Sequence, residues 1–501
     1  MTSPKAETAL DHDSMHGRRP WAAPFPLPAG ASLPYEEAIA QVEAALRFGI
    51  DPSLEPVRAL LAELGHPESS FLSVQVAGTN GKTSTSRYTA ALIAGEGFRC
   101  GLYTSPHLVD YAERVEIGGA PVSHDLFARG VSFALEAWRR IEGRGDAVAA
   151  HGCTEFELLT AAAMVMFAEQ RVDYAVLECG LGGRWDATSA VPTCAATVTG
   201  IGFDHMGVLG DTLGAIASEK AAVLRRGIPC VLGTNAYRPR EVLDVMARRC
   251  EAEGVVPTVV MEAGSFQPND AAGPADDGSA LTAARTFPVS RFAVTHRPCG
   301  LGDPLSLDVR VEAPLPGGVT VAASYEGVSL VAPLYQAQNV ACALALATAT
   351  LGRPLDSAAA RASIASCHVP GRFEVVGKDP LVILDACHNP QSAAALAQAV
   401  CDMESVRSRR PVLLLGALAD KDHAGIASCL APLFERVVVT QSASPRALPA
   451  EDLAREVEAA TGSRPEGVYR SACDAVLHLC GESFIGCGTI TLIGELAALL
   501  K

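Results

Sequence analysis

The chain has 501 residues, of which 49% are hydrophobic and 19% charged, and its formal net charge is −16. This length suits two or three domains, and the acidic balance argues against a general nucleic-acid or anionic-membrane surface, because phosphate binding shows as basic patches. The 15 cysteines are scattered without a C-x-x-C pair, which disfavours a secreted disulfide framework or a zinc ribbon and fits a reducing cytosol.

The N-terminal segment is polar and rich in proline, without the apolar core of a signal peptide. We therefore predict a disordered tail over residues 1–34. No stretch approaches the roughly 20 uninterrupted apolar residues that a membrane span needs. Helical periodicity over 35–65 leads to a strand at Phe71–Ala77, a glycine-rich turn and a helix at Ser84–Glu96.

Strands and helices alternate from there to about residue 232, which predicts parallel pairing and an α/β domain with helices on both faces. The alternation breaks between 264 and 304, where the acidic stretch Asn269–Ser279 predicts a mobile loop near 266–304. Residues 305–334 alternate apolar and polar positions, which is typical of a small antiparallel β patch. A helix follows, and we assign the whole of 35–366 to one domain.

A second doubly wound unit is predicted over residues 370–501. Its predicted strands, separated by helices, are Leu381–Asp385, Val412–Leu415, Arg436–Thr440 and Thr489–Ile493. The boundary is placed near 366–370, where His368-Val369-Pro370-Gly371 offers a hinge.

The most informative motif is the phosphate loop, Val76-Ala77-Gly78-Thr79-Asn80-Gly81-Lys82-Thr83-Ser84, between a strand and a helix. Glycines let the backbone wrap a phosphate, the helix N-terminus aims N–H groups at it, and the lysine neutralises charge. A hydroxyl just after the lysine can bind Mg²⁺. The loop departs from the common G-x-x-x-x-G-K-[ST] pattern because Val76 stands at the first position, and the choice between Thr83 and Ser84 as magnesium ligand stays open.

Three more polar groups fall in the same predicted domain. Glu178 ends an apolar strand, where open α/β sheets bind ligands, so it is a candidate metal ligand or else a strand cap. His205, beside Asp204, is a candidate metal ligand or proton carrier, and Lys220 is a candidate catalytic cation. Taken alone, His205 would be a structural loop histidine and Lys220 a solvated helix lysine; the shared domain favours the functional interpretation.

Motifs in order along the chain together resemble the folylpolyglutamate synthase/dihydrofolate synthase family of the Mur ligase superfamily. They are the phosphate loop, Tyr103–Leu108, Thr154–Glu157, Glu178–Thr188, Asp204-His205, Ala217–Ala221, Pro370–Glu374, Asp385–Pro390 and Asp420–Asp422.

The resemblance implies an α/β fold in which a P-loop Mur-ligase-type ATPase domain is followed by a Rossmann-like C-terminal domain, with ATP between them. It implies an ADP-forming acid–amino-acid ligase that joins L-glutamate to dihydropteroate or to (tetrahydro)folate polyglutamates through an acyl phosphate. ATP and two Mg²⁺ ions are expected as cofactors. The expected partners are small molecules, with no nucleic acid and no membrane, and we expect a cytoplasmic monomer.

The resemblance also implies residue roles. The expected catalytic residues are Lys82, His205 and Lys220, the last open to carbamylation. The expected ATP-binding residues are Gly78, Thr79, Asn80, Gly81, Lys82, Thr83, Ser84, Asn339, Arg372, Asp385 and His388, with Gln336 near adenine. The expected metal ligands are Ser84, Glu178 and His205. The expected folate-binding residues are Ser105, Pro106, His107, Phe156 and Asp186.

Two alternatives remain. Thr83 replaces the family's usual glycine, as in cell-wall amino-acid ligases, but those enzymes carry an N-terminal nucleotide-sugar domain for which about 75 residues leave no room. The second alternative is a catalytically silent nucleotide-binding protein, against which the retained Glu178, His205 and Lys220 count. The preference between dihydropteroate and tetrahydrofolate, and the length of the glutamate chain, stay open, with an enzyme that uses both acceptors as the default.

Overall fold

The computed structural model describes residues 20–27, 32–45, 52–264 and 287–500. The described strands are β1 Leu72–Ala77, β2 Cys100–Tyr103, β3 Val115–Ile117, β4 Ala120–Pro121, β5 Tyr174–Glu178, β6 Ala195–Gly200, β7 Cys230–Asn235, β8 Thr258–Glu262, β9 Val289–His296, β10 Leu305–Pro314, β11 Thr320–Leu330, β12 Glu374–Lys378, β13 Leu381–Asp385, β14 Val412–Leu415, β15 Val437–Thr440, β16 Gly467–Tyr469 and β17 Phe484–Cys487.

The described α-helices are α1 Tyr35–Ala44, α2 Glu55–Glu63, α3 Lys82–Gly95, α4 His124–Gly143, α5 Glu155–Glu169, α6 Met206–Leu209, α7 Leu213–Ala221, α8 Arg240–Glu253, α9 Gln336–Leu351, α10 Ser357–Ser366, α11 Pro390–Asp402, α12 Glu404–Arg407, α13 His423–Leu430, α14 Ala450–Thr461, α15 Ala472–His478 and α16 Ile490–Leu499. None of these helices combines the length and the apolar character that crossing a bilayer requires.

The first lobe is built on one eleven-stranded sheet in the order β11-β10-β9-β8-β7-β6-β1-β5-β2-β3-β4. Its seven central strands, from β9 to β2, are parallel, and antiparallel strands extend both ends. The central strand β1 is almost wholly buried because helices cover both faces. The phosphate loop therefore leaves the carboxyl end of a rigid central strand, where such sheets bind ligands.

The second lobe has a six-stranded sheet in the order β12-β13-β17-β14-β15-β16, parallel except for its edge strand β12. Asp385 ends β13, and the loop after it leads to Asn389, whose side chain caps α11. The predicted fold class, two α/β units in series, is confirmed. The last helix of the first lobe ends at Ser366, and the first strand of the second begins at Glu374.

The mobile loop predicted near 266–304 is wrong for its second half, because Val289–His296 form β9 and pair with both β8 and β10. The acidic stretch Asn269–Ser279 lies outside the described residues. The predicted antiparallel patch exists as the β10–β11 pair. It is not separate, however, because β9 joins it to the parallel sheet.

The strand predicted at Thr489–Ile493 is also wrong, since the last parallel strand is Phe484–Cys487. Thr489 caps α16, and its hydroxyl oxygen accepts the N–H of Thr491 at 3.1 Å. A threonine followed by an apolar run is compatible with either a strand or a capped helix start, and the cap decides for the helix.

The disordered tail predicted over 1–34 is wrong for residues 20–27, while residues 1–19 lie outside the described part of the chain. The indole N–H of Trp21 donates to the Leu64 carbonyl at 2.8 Å. Phe25 is buried, and the guanidinium of Arg140 lies 3.9 Å from its ring centroid. Both aromatic rings pack on Phe133 of α4, with ring centroids 6.1 and 6.0 Å apart, which ties this short segment to the first lobe.

Candidate nucleotide and ligation site

A cavity of about 210 Å³ lies between the two lobes, and we call it the inter-lobe cavity. From the first lobe it is lined by Thr79, Asn80, Gly81, Lys82, Thr83, Ser84, Ser105, Glu178, Thr199, Gly200, Asn235, Tyr335, Gln338 and Asn339; from the second, by Arg372, Asp385, Ala386, His388, Gln391, Ser392 and Ala395. The structure thus brings twelve of the residues expected from the sequence to one cavity, and these come from both lobes.

The phosphate loop is shaped by close backbone contacts. Gly81 has φ +82°, and a Cβ there would lie 2.5 Å from Oδ1 of Asn339. The Thr199 hydroxyl, at the end of β6, donates to the Asn80 carbonyl at 2.7 Å. Lys82 opens α3 and its ammonium donates to the Thr79 carbonyl at 3.1 Å. The first N–H groups of α3 have no partner within the helix, so this end is prepared for an anion.

Glu178 is fully buried at the end of β5, next to the phosphate loop. The Thr83 hydroxyl donates to its Oε1 at 2.8 Å, and Oε2 has no hydrogen-bond partner among the described residues. Burial raises the pKa of this carboxyl, while Lys82 and the Thr83 hydroxyl act against the rise. A buried carboxylate oxygen without a partner is costly, and a cation would satisfy it.

The two candidate magnesium hydroxyls therefore differ in their surroundings. Thr83 contacts Glu178, whereas the Ser84 hydroxyl accepts from the Gln336 side-chain amide at 3.3 Å, on the side of α9. Gln336 itself is buried and bonded to Ser84 and Asn339. Gln336 does not line the inter-lobe cavity, whereas Asn339 does.

Lys220 lies on α7 beneath the phosphate loop, without lining the cavity. Its ammonium donates to the Gly78 carbonyl at 2.9 Å, and the side chain is buried. Burial, and after it the charge of the neighbouring Lys82, lower the pKa of Lys220 to about 7. Lys220 is therefore not the solvated helix lysine that it would be if taken alone, and its amine is partly neutral near neutral pH.

The second lobe contributes three polar groups. The Asp385 carboxylate accepts the N–H of Phe373 at 2.8 Å and the Tyr335 hydroxyl at 3.0 Å, which fixes it at the cavity wall. His388 Nδ1 lies 3.0 Å from the Ala386 carbonyl, which leaves Nε2 facing the first lobe. Burial raises the pKa of Asp385, and the guanidinium of Arg372 opposes that rise.

His205 is at the edge of this group, since it does not line the inter-lobe cavity. It occupies a left-handed conformation with φ +50° at the start of α6. Its Nε2 lies 3.4 Å from Nζ of Lys421 of the second lobe. Burial lowers the pKa of His205 to about 4, so the ring is neutral near pH 7.

The five expected folate-binding residues do not share one pocket. Ser105 lines the inter-lobe cavity, while Pro106 and His107 line a neighbouring cavity of about 730 Å³. Phe156 stacks on Tyr103, with ring centroids 5.8 Å apart. Asp186 is buried, and its carboxylate accepts the backbone N–H groups of Leu181 at 2.9 Å and Thr188 at 3.0 Å, so it braces its own loop.

The two cavities are connected through shared residues. Thr83 and Arg372 line both. His107 Nδ1 accepts from Nε of Arg114 at 3.0 Å, and burial followed by that cation lowers the pKa of His107 to about 4. A neutral His107 with Nδ1 occupied carries its proton on Nε2, which makes it a hydrogen-bond donor rather than a base.

Sequence reasoning missed six polar residues that line the inter-lobe cavity: Thr199, Asn235, Tyr335, Gln338, Gln391 and Ser392. Thr199 and Asn235 fall near the carboxyl ends of β6 and β7, where ligand-facing groups are expected, so that signal was available. Tyr335 and Gln338 lie at the start of α9, and no motif in the sequence marks them.

Comparisons with known proteins agree with this arrangement. Residues 371–480 match the family model described as Mur ligase, glutamate ligase domain. The chain is 37% identical over 421 residues, 81% of this chain and 77% of the relative, to the dihydrofolate synthase/folylpolyglutamate synthase of Mycobacterium tuberculosis.

Solved structures are similar over almost their whole length. The Mycobacterium tuberculosis folylpolyglutamate synthase complexed with ADP and AMPPCP superimposes with a TM-score of 0.77 at 31% identity, covering 93% of this chain and 99% of that one. Escherichia coli FolC in complex with DHPP and ADP superimposes with a TM-score of 0.74 at 26% identity, covering 94% and 98%.

Proposed function

The chain belongs to the folylpolyglutamate synthase/dihydrofolate synthase family, within the Mur ligases, and from this we infer its reaction and the roles of its residues. It is an ATP-dependent ligase that joins L-glutamate to a folate-type carboxylate. We propose that it accepts both dihydropteroate and tetrahydrofolates, because relatives that carry both names match it over about four fifths of its length.

One observation carries the proposal. The phosphate loop and Glu178 of the first lobe line the same cavity as Arg372, Asp385 and His388 of the second. Phosphoryl transfer needs little more than positioning and charge stabilisation, and this cavity offers both. ATP is therefore proposed to lie between the lobes, with its phosphates at the N-terminus of α3.

The reaction has two steps. A carboxylate oxygen of the acceptor attacks the γ-phosphorus of ATP, the bond from that phosphorus to the bridging oxygen breaks, and ADP leaves with the acyl phosphate formed. The glutamate amine then attacks the acyl carbon, the bond to the phosphate oxygen breaks, and inorganic phosphate departs while the new amide nitrogen loses a proton. Lys82 and the N–H groups of α3 are proposed to stabilise charge on the phosphates, and Arg372 to do so from the opposite lobe.

Magnesium fits the residues at this site. The partnerless Oε2 of Glu178 and the adjacent Thr83 hydroxyl are oxygen donors of the kind that Mg²⁺ prefers. Bound there, the ion would offset negative charge on the transferring phosphoryl group. The described residues contain no group of three or more His, Cys, Asp or Glu that could hold a metal by themselves, which suits an ion completed by substrate phosphates and water.

A second ion is proposed near His205, whose neutral ring can donate a lone pair. We propose Thr83 as the hydroxyl ligand of the first ion in place of the expected Ser84, because only Thr83 contacts Glu178.

Lys220 is proposed to be carbamylated. Its pKa of about 7 leaves a substantial fraction as free amine at neutral pH, and a free amine adds CO₂ to give a carbamate and a proton. This change replaces a buried cation next to Lys82 with an anion, which removes the repulsion between the two lysines. Unmodified, Lys220 still fixes the phosphate loop through Gly78.

The acceptor is proposed to enter through the neighbouring 730 Å³ cavity or along the loop braced by Asp186, with Ser105, Pro106, His107 and Phe156 as candidate contacts. The neutral His107 would donate to a carbonyl or ring nitrogen. Both walls of the inter-lobe cavity come from one chain, so we propose that a monomer is sufficient for activity.

The test is ADP release from the purified protein with Mg-ATP and L-glutamate, comparing dihydropteroate, tetrahydrofolate and no acceptor, with the product identified by mass. We expect ADP and a product heavier by one glutamate with either pterin acceptor. A cell-wall ligase or a silent nucleotide-binding protein would give neither product, and activity with one acceptor alone would reject the dual-acceptor proposal.

A further inference from the structure

The carboxylate of Asp204 joins the two lobes. Asp204 follows β6 in the first lobe, and three groups of the second lobe surround its oxygens. Lys421 forms an ion pair with Oδ1, His388 Nε2 lies 3.3 Å from Oδ2, and the Asn389 amide donates to Oδ2 at 3.5 Å. The side chains of Asp204 and Lys421 are 6% and 7% exposed, so the pair is shielded from water.

A second contact between the lobes lies beside it. The side-chain amides of Asn80 and Asn389 bond reciprocally, at 3.0 and 3.3 Å, and Asn80 also donates to Gln391 at 2.7 Å. Asn80 belongs to the phosphate loop, and Asn389 caps α11. The loop that follows Asp385 and carries His388 is thus tied to the first lobe by Asp204 and by the phosphate loop.

The pair depends on how the lobes are arranged. If the lobes separate, water hydrates both charges; in the closed arrangement each charge has only the other and its hydrogen-bond partners. Lys421 does not line the inter-lobe cavity, so it reaches the reacting atoms only through the side chains that it contacts or positions, Asp204, His205 and His388, and the loops that bear them. This geometry suits a positioning residue and not a group that contacts phosphate.

We propose that Asp204 and Lys421 form a latch that holds the lobes closed over the acyl phosphate, and that the latch protects this intermediate from water. The proposal rests on the ligase reaction proposed above. Water competes with the glutamate amine for the acyl carbon: its oxygen bonds to that carbon, the carbon–oxygen bond to phosphate breaks, and the acceptor carboxylate, inorganic phosphate and a proton result. Each such event consumes ATP without ligation.

The test measures phosphate released per ligated product in wild type, Lys421→Met, Asp204→Asn and the double variant. In wild type the ratio is expected near one. In each single variant we expect at least about a tenfold loss of ligation rate and a ratio of about three or more, as a misplaced reacting centre would give. The ligation rate and the ratio of the double variant should lie within about twofold of those of either single variant, because the same ion pair is lost in all three.

Two further variants separate positioning from structure. Lys421→Arg keeps the charge and should restore the ratio to within about twofold of wild type. Arg464→Met removes the cation of an exposed ion pair within the second lobe, with Glu451 at 2.8 Å, and should change neither rate nor ratio. A ratio that stays at one in Lys421→Met, multiplicative losses in the double variant, or no rescue by arginine would each overturn the latch.

A measurement of shape distinguishes failure of the latch from failure of the proposed reaction. Small-angle scattering should show wild type becoming more compact with Mg-AMPPCP, while Lys421→Met compacts less. Equal compaction in both would overturn the latch. Absence of any ligated product from wild type, with the compaction difference retained, would reject the proposed reaction and keep the latch.

Discussion

Replacing Glu178 with glutamine should make the ligand-free protein more stable and the enzyme much less active. The side chain is fully buried, and its Oε2 has no hydrogen-bond partner among the described residues. An unsatisfied buried group of this kind costs about 1–3 kcal/mol. Glutamine has nearly the same volume and no charge, and the cost of burial falls on the charged form, so Glu178→Gln should raise the free energy of unfolding by an amount of that order at pH 8.

The stability difference should depend on pH in one direction. The folded-state pKa of Glu178 lies above the ordinary value of 4.5 because burial raises it, so the folded protein binds this proton more tightly than the unfolded chain. The free energy of unfolding of wild type therefore falls, relative to the variant, as pH rises above the unfolded pKa. The advantage of Glu178→Gln should be absent below about pH 4.5 and largest above the folded pKa.

Binding of Mg-AMPPCP should make wild type more stable than Glu178→Gln. Saturating Mg-AMPPCP at about 100 times its dissociation constant should stabilise wild type by about 2.7 kcal/mol, and Glu178→Gln by much less, because the carboxylate is the proposed metal ligand. Melting temperatures at pH 4 and 8, with and without Mg-AMPPCP, measure both effects. Ligation should fall on the order of 10²-fold or more.

A matched buried carboxylate gives the control. Glu116 is paired with Arg87, so Glu116→Gln should destabilise the protein at pH 8, the opposite sign. Two results would refute this prediction: destabilisation of the ligand-free protein by Glu178→Gln, or stabilisation of the variant by Mg-AMPPCP as strong as that of wild type.

Three other substitutions test the phosphate loop and Lys220. Thr83→Val should lower the ligation rate by about 10- to 100-fold, the value of a hydrogen bond to a charged group, and Ser84→Ala by less than fivefold; the reverse order in kinetic assays would return the metal to Ser84. Gly81→Ala should weaken AMPPCP binding at least about tenfold in calorimetry, because a side chain is strained at φ +82°; unchanged affinity would contradict the loop geometry. For Lys220, with a pKa of about 7, activity should rise with pH through that value and respond to added bicarbonate below it, while Lys220→Arg should show neither effect; a bicarbonate-independent wild type would exclude carbamylation.

The sequence could predict much of the fold because its signals are local. Alternating apolar strands and helices, and the turn at Gly78–Ser84, identify two doubly wound units and the phosphate loop. Errors arose where context decides between structures. Thr489 begins a helix or a strand with equal local preference, and β9 is a strand because β8 and β10 pair with it.

The sequence could indicate that groups at strand ends, such as Glu178 and Asp385, line one cavity, because strand ends converge on one edge of a sheet. It could not distinguish Thr83 from Ser84, since that choice depends on which hydroxyl the helix turns toward β5. It also could not find the contact of Asp204 with Lys421, whose residues lie 217 positions apart and meet only when the lobes come together.

In the proposed reaction, ATP phosphorylates the acceptor carboxylate before glutamate attacks. The most direct test supplies an acceptor with both carboxylate oxygens labelled with ¹⁸O, together with Mg-ATP and L-glutamate, and measures the inorganic phosphate by mass spectrometry. An acyl phosphate predicts one ¹⁸O atom in each phosphate released, with the other retained in the new amide. Phosphate without the label would contradict the account.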